Sequence, residues 1–229
     1  MKLKILSWNI WCYGNLDQVA DFLKTSDADI ICLQEVLPKE DLNMIDFLNK
    51  LGYSHYYDNS IKIEKDGKMV NMGNATFTKH KMIANKTHVL SKKESRIALE
   101  STIEVNGVLL NVFNAHLTHA HLKESEERDR QMDILIKLLP KDKTLVMGDF
   151  NSLPESSTVQ KINKILINTD PSLSPTWSNY PKGCPGCFPQ SLQYRLDYIF
   201  VSKDITFSSP TAYPSKASDH LPVSVVIEV

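Results

Sequence analysis

The stretch of sequence that decides the fold is residues 145–151, which read Leu-Val-Met-Gly-Asp-Phe-Asn. Its three leading apolar residues are typical of a buried strand. Gly148 then lets the backbone leave the strand tightly or admits a ligand close to the main chain. Asp149 and Asn151 follow at the carboxyl end of the strand, where α/β folds gather their functional groups. Taken alone this stretch favours a polar turn, so its meaning depends on the rest of the chain.

Other strands of the chain end in polar residues in the same way. Residues 3–8 predict a strand that leads to Asn9, and residues 29–33 predict one that leads to Glu35. An amphipathic helix capped by Asn15 separates them, which predicts a parallel strand–helix–strand unit. Because parallel strands end at the same edge of a sheet, we expect Asn9 and Glu35 to emerge together.

The second half of the chain repeats this arrangement without repeating the sequence. A strand over residues 108–114 leads to His116, and a charged helix over about 122–139 follows. The strand over 144–148 then ends at Asp149. We therefore expect His116 and Asp149 at the carboxyl ends of two strands joined by a helix.

The residues between the two units predict a second helix and several strands. The helix is expected to open at Pro38. Turn signals at Asp66-Gly67 and Asn106-Gly107 predict hairpins. The strands of this region are predicted over residues 53–57, 74–78, 82–90 and 97–105.

The last third of the chain carries the remaining polar strand ends. Strands are predicted over residues 195–201 and 221–228. Asp197 lies in the first of these strands, and Asp219 and His220 stand directly before the second. These three residues join the set of polar groups at strand ends.

A long segment over residues 168–194 follows a helix predicted over 156–166 and is rich in proline, serine and glycine. It is too long for a plain connection and is expected to be functional or mobile. It contains Cys184 and Cys187 as a single CxxC pair. This pair lacks the second pair of a closed zinc site and the strand-to-helix setting of a redox motif, so we interpret it as a loop with two nearby thiols.

Composition is typical of an ordinary soluble globular protein. The chain has 229 residues and no linker between separate cores, which favours one domain over 1–229. Its 26 basic and 27 acidic side chains give a net charge of −1, so contacts with phosphates require a local patch or a bound cation. We see neither a secretory signal nor an apolar run of membrane-spanning length, and we expect a reduced, cytoplasmic monomer without integral membrane association.

The polar strand ends form one candidate site rich in carboxylates. Carboxylates gathered without matching Lys or Arg raise one another's pKa, and a divalent cation relieves their repulsion. The set has many oxygen ligands and no thiolate, which suits Mg²⁺ or Mn²⁺ better than zinc. Its members are Asn9, Glu35, His116, Asp149, Asn151, Asp197, Asp219 and His220.

Three histidines close together in sequence raise zinc as an alternative. They are His116, His119 and His121. Histidine spacing without cysteine or carboxylate partners nearby is poor evidence for a zinc site. We therefore expect His119 and His121 at the edge of a cleft or on the surface.

Six motifs, in order and at sensible spacing, resemble the endonuclease/exonuclease/phosphatase family, which includes deoxyribonuclease I, exonuclease III and neutral sphingomyelinases. Each motif is weak alone, but six in sequence are specific for the family and much less informative about the substrate. The motifs are Trp8-Asn9, Leu33-Gln34-Glu35, Asn114-Ala115-His116-Leu117, Gly148-Asp149-Phe150-Asn151, Leu196-Asp197-Tyr198-Ile199-Phe200 and Ser218-Asp219-His220-Leu221-Pro222-Val223.

The resemblance implies a deoxyribonuclease I-like α/β (α+β) four-layer sandwich. In this fold, two packed mixed β-sheets are flanked by helices, and the site lies at one edge of the sheets. The resemblance also implies Mg²⁺-dependent hydrolysis of phosphate esters by in-line attack of water, with Mn²⁺ as a possible substitute and no covalent enzyme intermediate.

The resemblance further implies a role for each matching residue. Glu35 would be the principal metal carboxylate, with Asn9 and Asp219 in or near the metal shell. His220 would be the general base or a phosphate contact, and Asp197 would orient it.

Three other positions of the match concern the water and the phosphate. Asp149 would position or deprotonate the attacking water, Asn151 would bond the phosphate, and His116 would donate to a phosphate oxygen. Whether Asp149 or His220 takes the proton is left open by the sequence.

Softer matches concern substrate contacts. Asn74 resembles an asparagine of the family that approaches the active site. Arg96 resembles an arginine that some members aim at the substrate phosphate. The alternative for Arg96 is a solvated arginine in a loop. Trp177 suits either a wall of the substrate cleft or a loop anchor.

The sequence has no lipid anchor motif and no obvious basic cluster for inositol phosphates. A nucleic-acid phosphodiesterase is therefore the most economical interpretation. It would be an endonuclease, an exonuclease or a DNA-end processing enzyme. The near-neutral charge argues against a tight nonspecific nuclease. Hydrolysis of a small-molecule or lipid phosphodiester is the alternative. A non-catalytic binding module would predict missing catalytic residues, and all eight central residues are present.

Overall fold

The computed structural model describes residues 1–38, 42–65, 67–178 and 191–229. The first part of the chain forms β1 (Lys2–Asn9), α1 (Leu16–Ser26), β2 (Ile30–Val36), α2 (Met44–Lys50), β3 (Ser54–Lys65), β4 (Lys68–Thr78), β5 (Lys81–Ser91) and β6 (Arg96–Val105). The second part forms β7 (Val108–His116), α3 (Glu126–Leu138), β8 (Thr144–Asp149), α4 (Ser157–Asn163), β9 (Ile167–Asn168), β10 (Asp197–Val201), β11 (Thr206–Ala212) and β12 (Val223–Glu228). None of the helices in the described ranges is long and apolar enough to cross a membrane.

Two six-stranded sheets form the centre of the fold. One has the strand order β11-β12-β1-β2-β4-β3, and the other has the order β5-β6-β7-β8-β10-β9. Each sheet is mixed, because β1 pairs with β2 in parallel and β7 pairs with β8 in parallel, whereas their outer neighbours pair antiparallel. Helices cover the outer faces of both sheets. The predicted four-layer sandwich is confirmed, and a parallel pair lies at the middle of each sheet.

The central strands alternate their side chains between two buried layers. On β8, Leu145 and Met147 pack between the two sheets, whereas Val146 packs with side chains of α3 and α4. On β1, Ile5 faces the other sheet and Trp8 faces α1. A strand that is covered on both faces reads as a continuous apolar run. This explains why the sequence before Gly148 is uniformly apolar.

Polar capping residues decide where the first two helices begin. The side chain of Asn15 accepts from the backbone N–H of Gln18 at 3.1 Å, so the predicted cap of α1 is confirmed. The prediction that the second helix opens at Pro38 is wrong. This helix begins only after Asn43, whose side chain accepts from a backbone N–H of its first turn. A good cap therefore outweighs the preference of proline for a first helical position.

The third helix also begins later than its sequence predicts. A start at residue 122 is wrong, because His121 and Leu122 have φ values of 48° and 63°, which a right-handed helix excludes. The helix starts after Ser125, whose side chain accepts from the backbone N–H of Arg128. Residues 119–124 therefore form a loop beside the carboxyl end of β7.

The hairpin predictions agree with the backbone. Asn106 and Gly107 have φ values of 50° and 82°, as a tight two-residue hairpin requires, and they join β6 to β7. Lys65 pairs with Lys68 across the other predicted turn, where Gly67 has a φ of 71°. Asp66, the other residue of that turn, lies outside the described residues.

Two edge strands escape sequence-based prediction. The two-residue strand β9 is too short to show a pattern, and β11 is polar with Pro210 inside it. The pairing of β11 with β12 is irregular between Ser208 and Thr211, and a proline is tolerated at such a bulge on an edge strand. The CxxC pair at Cys184 and Cys187 lies outside the described residues.

Candidate active site

The polar strand ends of the two sheets meet at one edge of the sandwich. Asn9 and Glu35 come from the parallel pair of the first sheet, and His116 and Asp149 are paired in register at the ends of β7 and β8. The Nδ2 amide of Asn9 donates to Glu35 Oε1 at 3.1 Å and to Asp149 Oδ2 at 3.0 Å. The structure thus joins strand ends from both sheets into one site.

Asp197 and His220 meet at the same edge. Nδ1 of His220 lies 2.9 Å from Oδ2 and 3.1 Å from Oδ1 of Asp197. Its Nε2 lies 3.7 Å from Asp149 Oδ2. The hydroxyl of Thr176 donates to Asp197 Oδ2 at 2.6 Å and fixes that carboxylate. Each ring nitrogen of His220 therefore faces a buried carboxylate.

Three carboxylates determine the charge of His220. Burial alone would lower the pKa of its imidazole, but Asp197, Asp149 and Asp219 raise this pKa well above its ordinary value. The imidazole is therefore protonated at neutral pH, and both of its N–H groups are donors.

Burial acts on the acids of the site in the opposite direction. It raises the pKa of Asp219 to about 7, with Glu35 and Asp149 adding to the effect and His220 opposing it. It also raises the pKa of Asp149 to about 6, although His220 lowers it. Acids whose pKa values are raised in this way favour a proton or a metal cation nearby.

Two basic side chains complete the site. Burial lowers the pKa of His116 well below its ordinary value, and its neighbour Arg96 lowers it further, so His116 is neutral. Its Nε2 lies 3.4 Å from Asp149 Oδ2. The Nε and Nη1 atoms of Arg96 are buried and have no hydrogen-bond partner among the described residues. Such unpaired donors are costly unless a ligand accepts from them.

These groups surround a cavity of about 180 Å³, which suits an anion such as phosphate. Asn9 and Asp197 are buried behind the cavity wall and bond to residues within it. The residues of the wall are Trp11, Glu35, Met72, Arg96, His116, His119, Asp149, Asn151, Trp177, Asp219 and His220.

The backbone takes unusual conformations where it presents the site residues. Gly148 has a φ of 141°, and a Cβ added to it would lie 1.9 Å from the carbonyl oxygen of Ala115. The close neighbour at this glycine is thus the backbone of the adjacent strand, whereas the sequence predicted a tight exit from the strand or a nearby ligand. Glu35 has a φ of 60° at an irregularity in the pairing of β2 with β4, and Asn151 has a φ of 49°. These left-handed residues turn their side chains out of the regular pattern.

Hydrogen bonds hold both the side-chain amide and the backbone of Asn151. Its backbone N–H donates to Asp149 Oδ1 at 2.8 Å. Its Nδ2 donates to the Leu117 carbonyl at 3.1 Å and to Asp149 Oδ2 at 3.2 Å. Its Oδ1 lies 2.9 Å from Nδ1 of His119, and its carbonyl accepts from the guanidinium of Arg128. Asn151 is thus a fixed part of the cavity wall.

Among the softer predictions, Trp177 lies in the cavity wall and is also an anchor. Its Nε1 donates to Asp219 Oδ2 at 3.2 Å, and its backbone bridges to His220. Asn74 is fully buried, and its Nδ2 makes long bonds of 3.5 Å to the Ile97 and Asn114 carbonyls. The described contacts of Asn74 join strands, and its contact with substrate stays a prediction.

Sequence reasoning missed Trp11 and Met72 as residues of the cavity. Trp11 lies two residues after Asn9, and its N–H donates to Asn9 Oδ1 at 3.0 Å. This is the Asx turn that an asparagine at a strand end favours, so a local signal for the turn existed. No pattern marks Met72, which reaches the wall only through the irregular pairing of β4.

The fold and the site together define a protein of the deoxyribonuclease I-like class. A family model described as Endonuclease/Exonuclease/phosphatase family matches residues 6–220, and the chain belongs to this family. Membership supports hydrolysis of phosphate esters as the general activity. The described residues also include a group that could hold a metal ion.

Individual proteins are similar to the chain in sequence or in fold. The chain is 28% identical over 237 residues to the uncharacterized protein YbhP of Escherichia coli strain K12, which covers 93% of this chain and 88% of that protein. It is similar to the crystal structure of an endonuclease/exonuclease/phosphatase from Beutenbergia cavernae, with a TM-score of 0.79, 18% identity and coverage of 100% of this chain and 72% of that one. The human Nocturnin catalytic domain with bound sulfate gives a TM-score of 0.77, 20% identity and coverage of 99% and 94%.

Proposed function

We propose that this protein is a Mg²⁺-dependent phosphodiesterase that hydrolyses nucleic acid by in-line attack of an activated water molecule. The observation that carries the proposal is the position of His220 between Asp197 and Asp149, beside a cavity that Glu35 also lines. This arrangement supplies an acid, a base and a metal carboxylate within one small volume. It needs no covalent enzyme intermediate.

The residues that would hold the metal ion are Glu35, Asp219 and Asn9. Burial and the neighbouring Glu35 raise the pKa of Asp219, as expected where carboxylates lie close together with too few cationic groups nearby. Carboxylate and amide oxygens are ligands that suit Mg²⁺, and Mn²⁺ is expected to substitute for it. When bound, the ion would stabilise the charge that develops on the phosphoryl oxygens and the leaving group.

A second group among the described residues also has the spacing of metal ligands. Ligand atoms of Asp149, Asp197 and His220 all lie within 4.8 Å of one another. The two carboxylates raise the pKa of His220, and the protonated imidazole between them already supplies the positive charge that a metal ion would bring. We therefore assign these three residues to proton transfer and phosphate binding, and not to the metal.

The charge states favour Asp149 as the base that activates water. With a pKa of about 6, Asp149 is mostly ionised at neutral pH and is able to accept a proton. His220 is protonated and suits donation from Nε2 to a phosphoryl or leaving-group oxygen, while Asp197 holds its Nδ1–H. This division of roles is our choice between the two alternatives that the sequence leaves open.

The other donors of the wall suit the phosphate oxygens. His116 is neutral, so its ring has one N–H group to donate. The amide of Asn151 also lines the cavity, but its Nδ2 donates to Leu117 and Asp149, so its bond to the phosphate stays a prediction. Arg96 offers buried donors without a partner in the described part of the chain. Its planar guanidinium matches two oxygens of a phosphate.

The choice of nucleic acid as substrate rests on the aromatic and basic parts of the wall. Trp11 is half-buried and offers a surface on which an unpaired base stacks, and Arg96 lies in the same cavity. Trp177 is buried and supports the wall from behind. The net charge of −1 gives little bulk attraction to a duplex. We therefore expect action at particular structures, such as DNA ends, and not tight nonspecific cleavage.

A lipid or small-molecule phosphodiester is the second candidate substrate. Leu221, which follows His220 directly, borders a separate, mostly apolar cavity of about 670 Å³. Such a cavity suits an apolar leaving group better than it suits a nucleotide. Its wall also includes Pro175, Leu192 and Pro214.

A substrate panel tests the proposal directly. Abasic DNA, 5′-blocked DNA, single strands, sphingomyelin and inositol phosphates are incubated with the protein and Mg²⁺, and again with EDTA. Nucleic-acid turnover that EDTA abolishes is expected. Turnover of sphingomyelin alone would replace the substrate assignment and keep the reaction class.

Two substitutions test the site itself. Glu35→Gln and His220→Gln are each expected to lower turnover by about 100-fold or more, with an unchanged far-UV circular dichroism spectrum. Glu228→Gln, at an exposed position on β12, is the matched control. Full activity in both site variants would refute the assignment.

A further inference from the structure

Two histidines in the loop after β7 form a pair that the proposed mechanism does not use. Nε2 of His119 lies 3.3 Å from Nδ1 of His121. Their rings are nearly perpendicular, at 80°, with centroids 4.6 Å apart. The third histidine of the sequence cluster, His116, is engaged elsewhere, because its Nε2 faces Asp149. The structure therefore separates a two-histidine pair from the catalytic histidine.

The hydrogen bond at Nδ1 of His119 determines that its Nε2 is the unprotonated nitrogen. Nδ1 lies 2.9 Å from Asn151 Oδ1. Because Nδ2 of Asn151 donates to Leu117 and Asp149, Oδ1 is the acceptor of this bond and Nδ1 of His119 carries the hydrogen. Nε2 of neutral His119 then presents a lone pair toward His121. Metal-bound histidines show this arrangement, in which the second ring nitrogen donates to an oxygen.

The separation of the two nitrogens fits a shared tetrahedral ion. Zinc–imidazole bonds of about 2.0–2.1 Å at the tetrahedral angle place two nitrogen ligands about 3.3 Å apart. The 3.3 Å contact between His119 and His121 satisfies the geometry of a hydrogen bond between the two rings, and it also equals the separation that two ligands of one ion require.

The backbone also prepares the pair. His121 and Leu122 both have left-handed φ values. This turn, and not an extended strand, carries His121 back to the ring of His119.

We propose that His119 and His121 form a second metal site, which takes a borderline transition-metal ion such as Zn²⁺. Imidazole nitrogens suit zinc, copper and nickel, whereas Mg²⁺ prefers the oxygen ligands assigned to it near Glu35. The loop supplies two of the four ligands that a tetrahedral zinc ion takes.

Equilibrium dialysis with Zn²⁺, in excess Mg²⁺, measures this site without relying on catalysis. The unaltered protein is expected to bind one Zn²⁺ more per chain than His121→Asn. Asparagine is chosen because it tolerates the left-handed backbone at this exposed position. His119→Asn is expected to lose the same ion. His55→Asn, at an exposed histidine on β3, is the control and should bind as the unaltered protein does.

A spectroscopic measurement provides the second readout. Co²⁺ bound to the pair is expected to show visible absorption of a low-symmetry, nitrogen-ligated ion, and His121→Asn is expected to lose it. Matching thermal unfolding without metal would show that the variant folds. Equal Zn²⁺ stoichiometry and equal Co²⁺ spectra in the unaltered protein and in His121→Asn would overturn the proposal and leave a plain contact between two rings. Loss of phosphodiesterase activity would not bear on either result.

Discussion

His220 carries a proton because its two ring nitrogens face different carboxylates. Asp197 is the one that bonds Nδ1, at 2.9 Å, and Thr176 in turn donates to Asp197. An aspartate in this position fixes the ring and supports its positive charge. The orientation of His220 is thus decided by residues that do not line the cavity.

Asp197→Asn is therefore expected to lower kcat by about 100-fold or more while KM changes little, because the amide supports the wrong protonation of the ring. Steady-state kinetics with a turned-over member of the substrate panel measures the effect. Asp142→Asn, at an exposed position, is the matched control. A kcat equal to that of the control would exclude Asp197 from the mechanism.

Asp219 links metal binding to the pH dependence of stability. Its folded-state pKa of about 7 exceeds the ordinary 3.8, so the folded protein holds its proton more tightly than the unfolded chain. The stabilisation by this proton is complete below about pH 4 and is lost as pH rises to 7, at a cost on the order of 2–4 kcal/mol.

Mg²⁺ replaces that proton, so it is expected to raise Tm more at pH 8 than at pH 5, by roughly 5–10 °C at pH 8. Thermal unfolding at both pH values, with and without Mg²⁺, checks this. Asp219→Asn should stabilise the metal-free protein at pH 8 and remove most of the Mg²⁺ effect. Equal Mg²⁺ shifts at the two pH values would contradict the assignment of Asp219.

A close contact between strands β7 and β8 brings two of the site residues together. β7 and β8 approach at Ala115 and Gly148, where any side chain on the glycine would collide with the Ala115 carbonyl. The glycine thus sets the register that places His116 beside Asp149. The sequence predicted a tight exit from the strand or a nearby ligand at this glycine, because the approach of a neighbouring strand leaves no local pattern.

Gly148→Ala is expected to lower the free energy of unfolding by about 3 kcal/mol or more, from steric collision and backbone strain together. Urea denaturation measures the loss. Gly107→Ala is the control: its φ of 82° is also left-handed, but an added Cβ would meet nothing within 4 Å. It should lose only about 1–2 kcal/mol. Similar losses in the two variants would refute the role of the Ala115 contact.

Helix α3 braces the loop of the two histidines and the turn at Asn151. The guanidinium of Arg128 is buried and donates through Nη1 to the Asn151 carbonyl and through Nη2 to the Lys123 carbonyl. Both acceptors belong to backbone that leaves a strand end. Arg128 thus fixes Asn151 without touching the cavity.

Arg128→Lys is expected to lower kcat/KM by about 10-fold, because an ammonium group does not reach both carbonyls in the fixed geometry of the guanidinium. The measurement is kcat/KM together with the melting temperature. Arg130→Lys, two residues along on the exposed face of α3, should change neither quantity. An active Arg128→Lys enzyme with lowered Tm would show a purely structural role.

Some element boundaries and loop residues could not be predicted from local sequence. The start of α3 depends on left-handed φ values at His121 and Leu122, which ordinary residues adopt only where tertiary contacts hold them. Strand β11 was missed because it lies at a sheet edge, where the pattern of burial is weak.

At the scale of the whole molecule, one buried asparagine joins the two sheets. Asn114 on β7 donates through Nδ2 to the carbonyls of Leu33 and Ala75 in the other sheet, at 3.1 and 3.0 Å. It also accepts from Gln34 Nε2 at 2.8 Å. Since Glu35 follows Gln34, this contact sets how the two halves of the site face each other.

Asn114→Ala is expected to lower the free energy of unfolding by about 3 kcal/mol, because two carbonyls and the Gln34 amide would lose their partner in a dry interior. Denaturant titration measures the effect. Asn111→Ala, at a half-buried position on the same strand, is the comparison variant and should lose less. A loss no larger than that of Asn111→Ala would show that water replaces Asn114 between the sheets.

The sequence alone predicted the two strand–helix–strand units and their polar ends, because these follow from local periodicity. Face-to-face packing of two sheets came only from the family resemblance. Asn114 shows why: it sits inside an apolar strand pattern, and its partners lie about 40 and 80 residues away in sequence. One domain over residues 1–229 and a monomeric state stay predictions.

The left-handed backbone at Glu35 has a consequence for engineering. A non-glycine residue there costs about 1–2 kcal/mol, and a glycine would remove that cost together with the carboxylate. A directed-evolution campaign that selects this protein only for heat resistance would therefore reward loss of the residue that turnover needs. Selection rounds for thermostability therefore have to alternate with rounds for catalytic rate. Otherwise the most thermostable variants will be inactive.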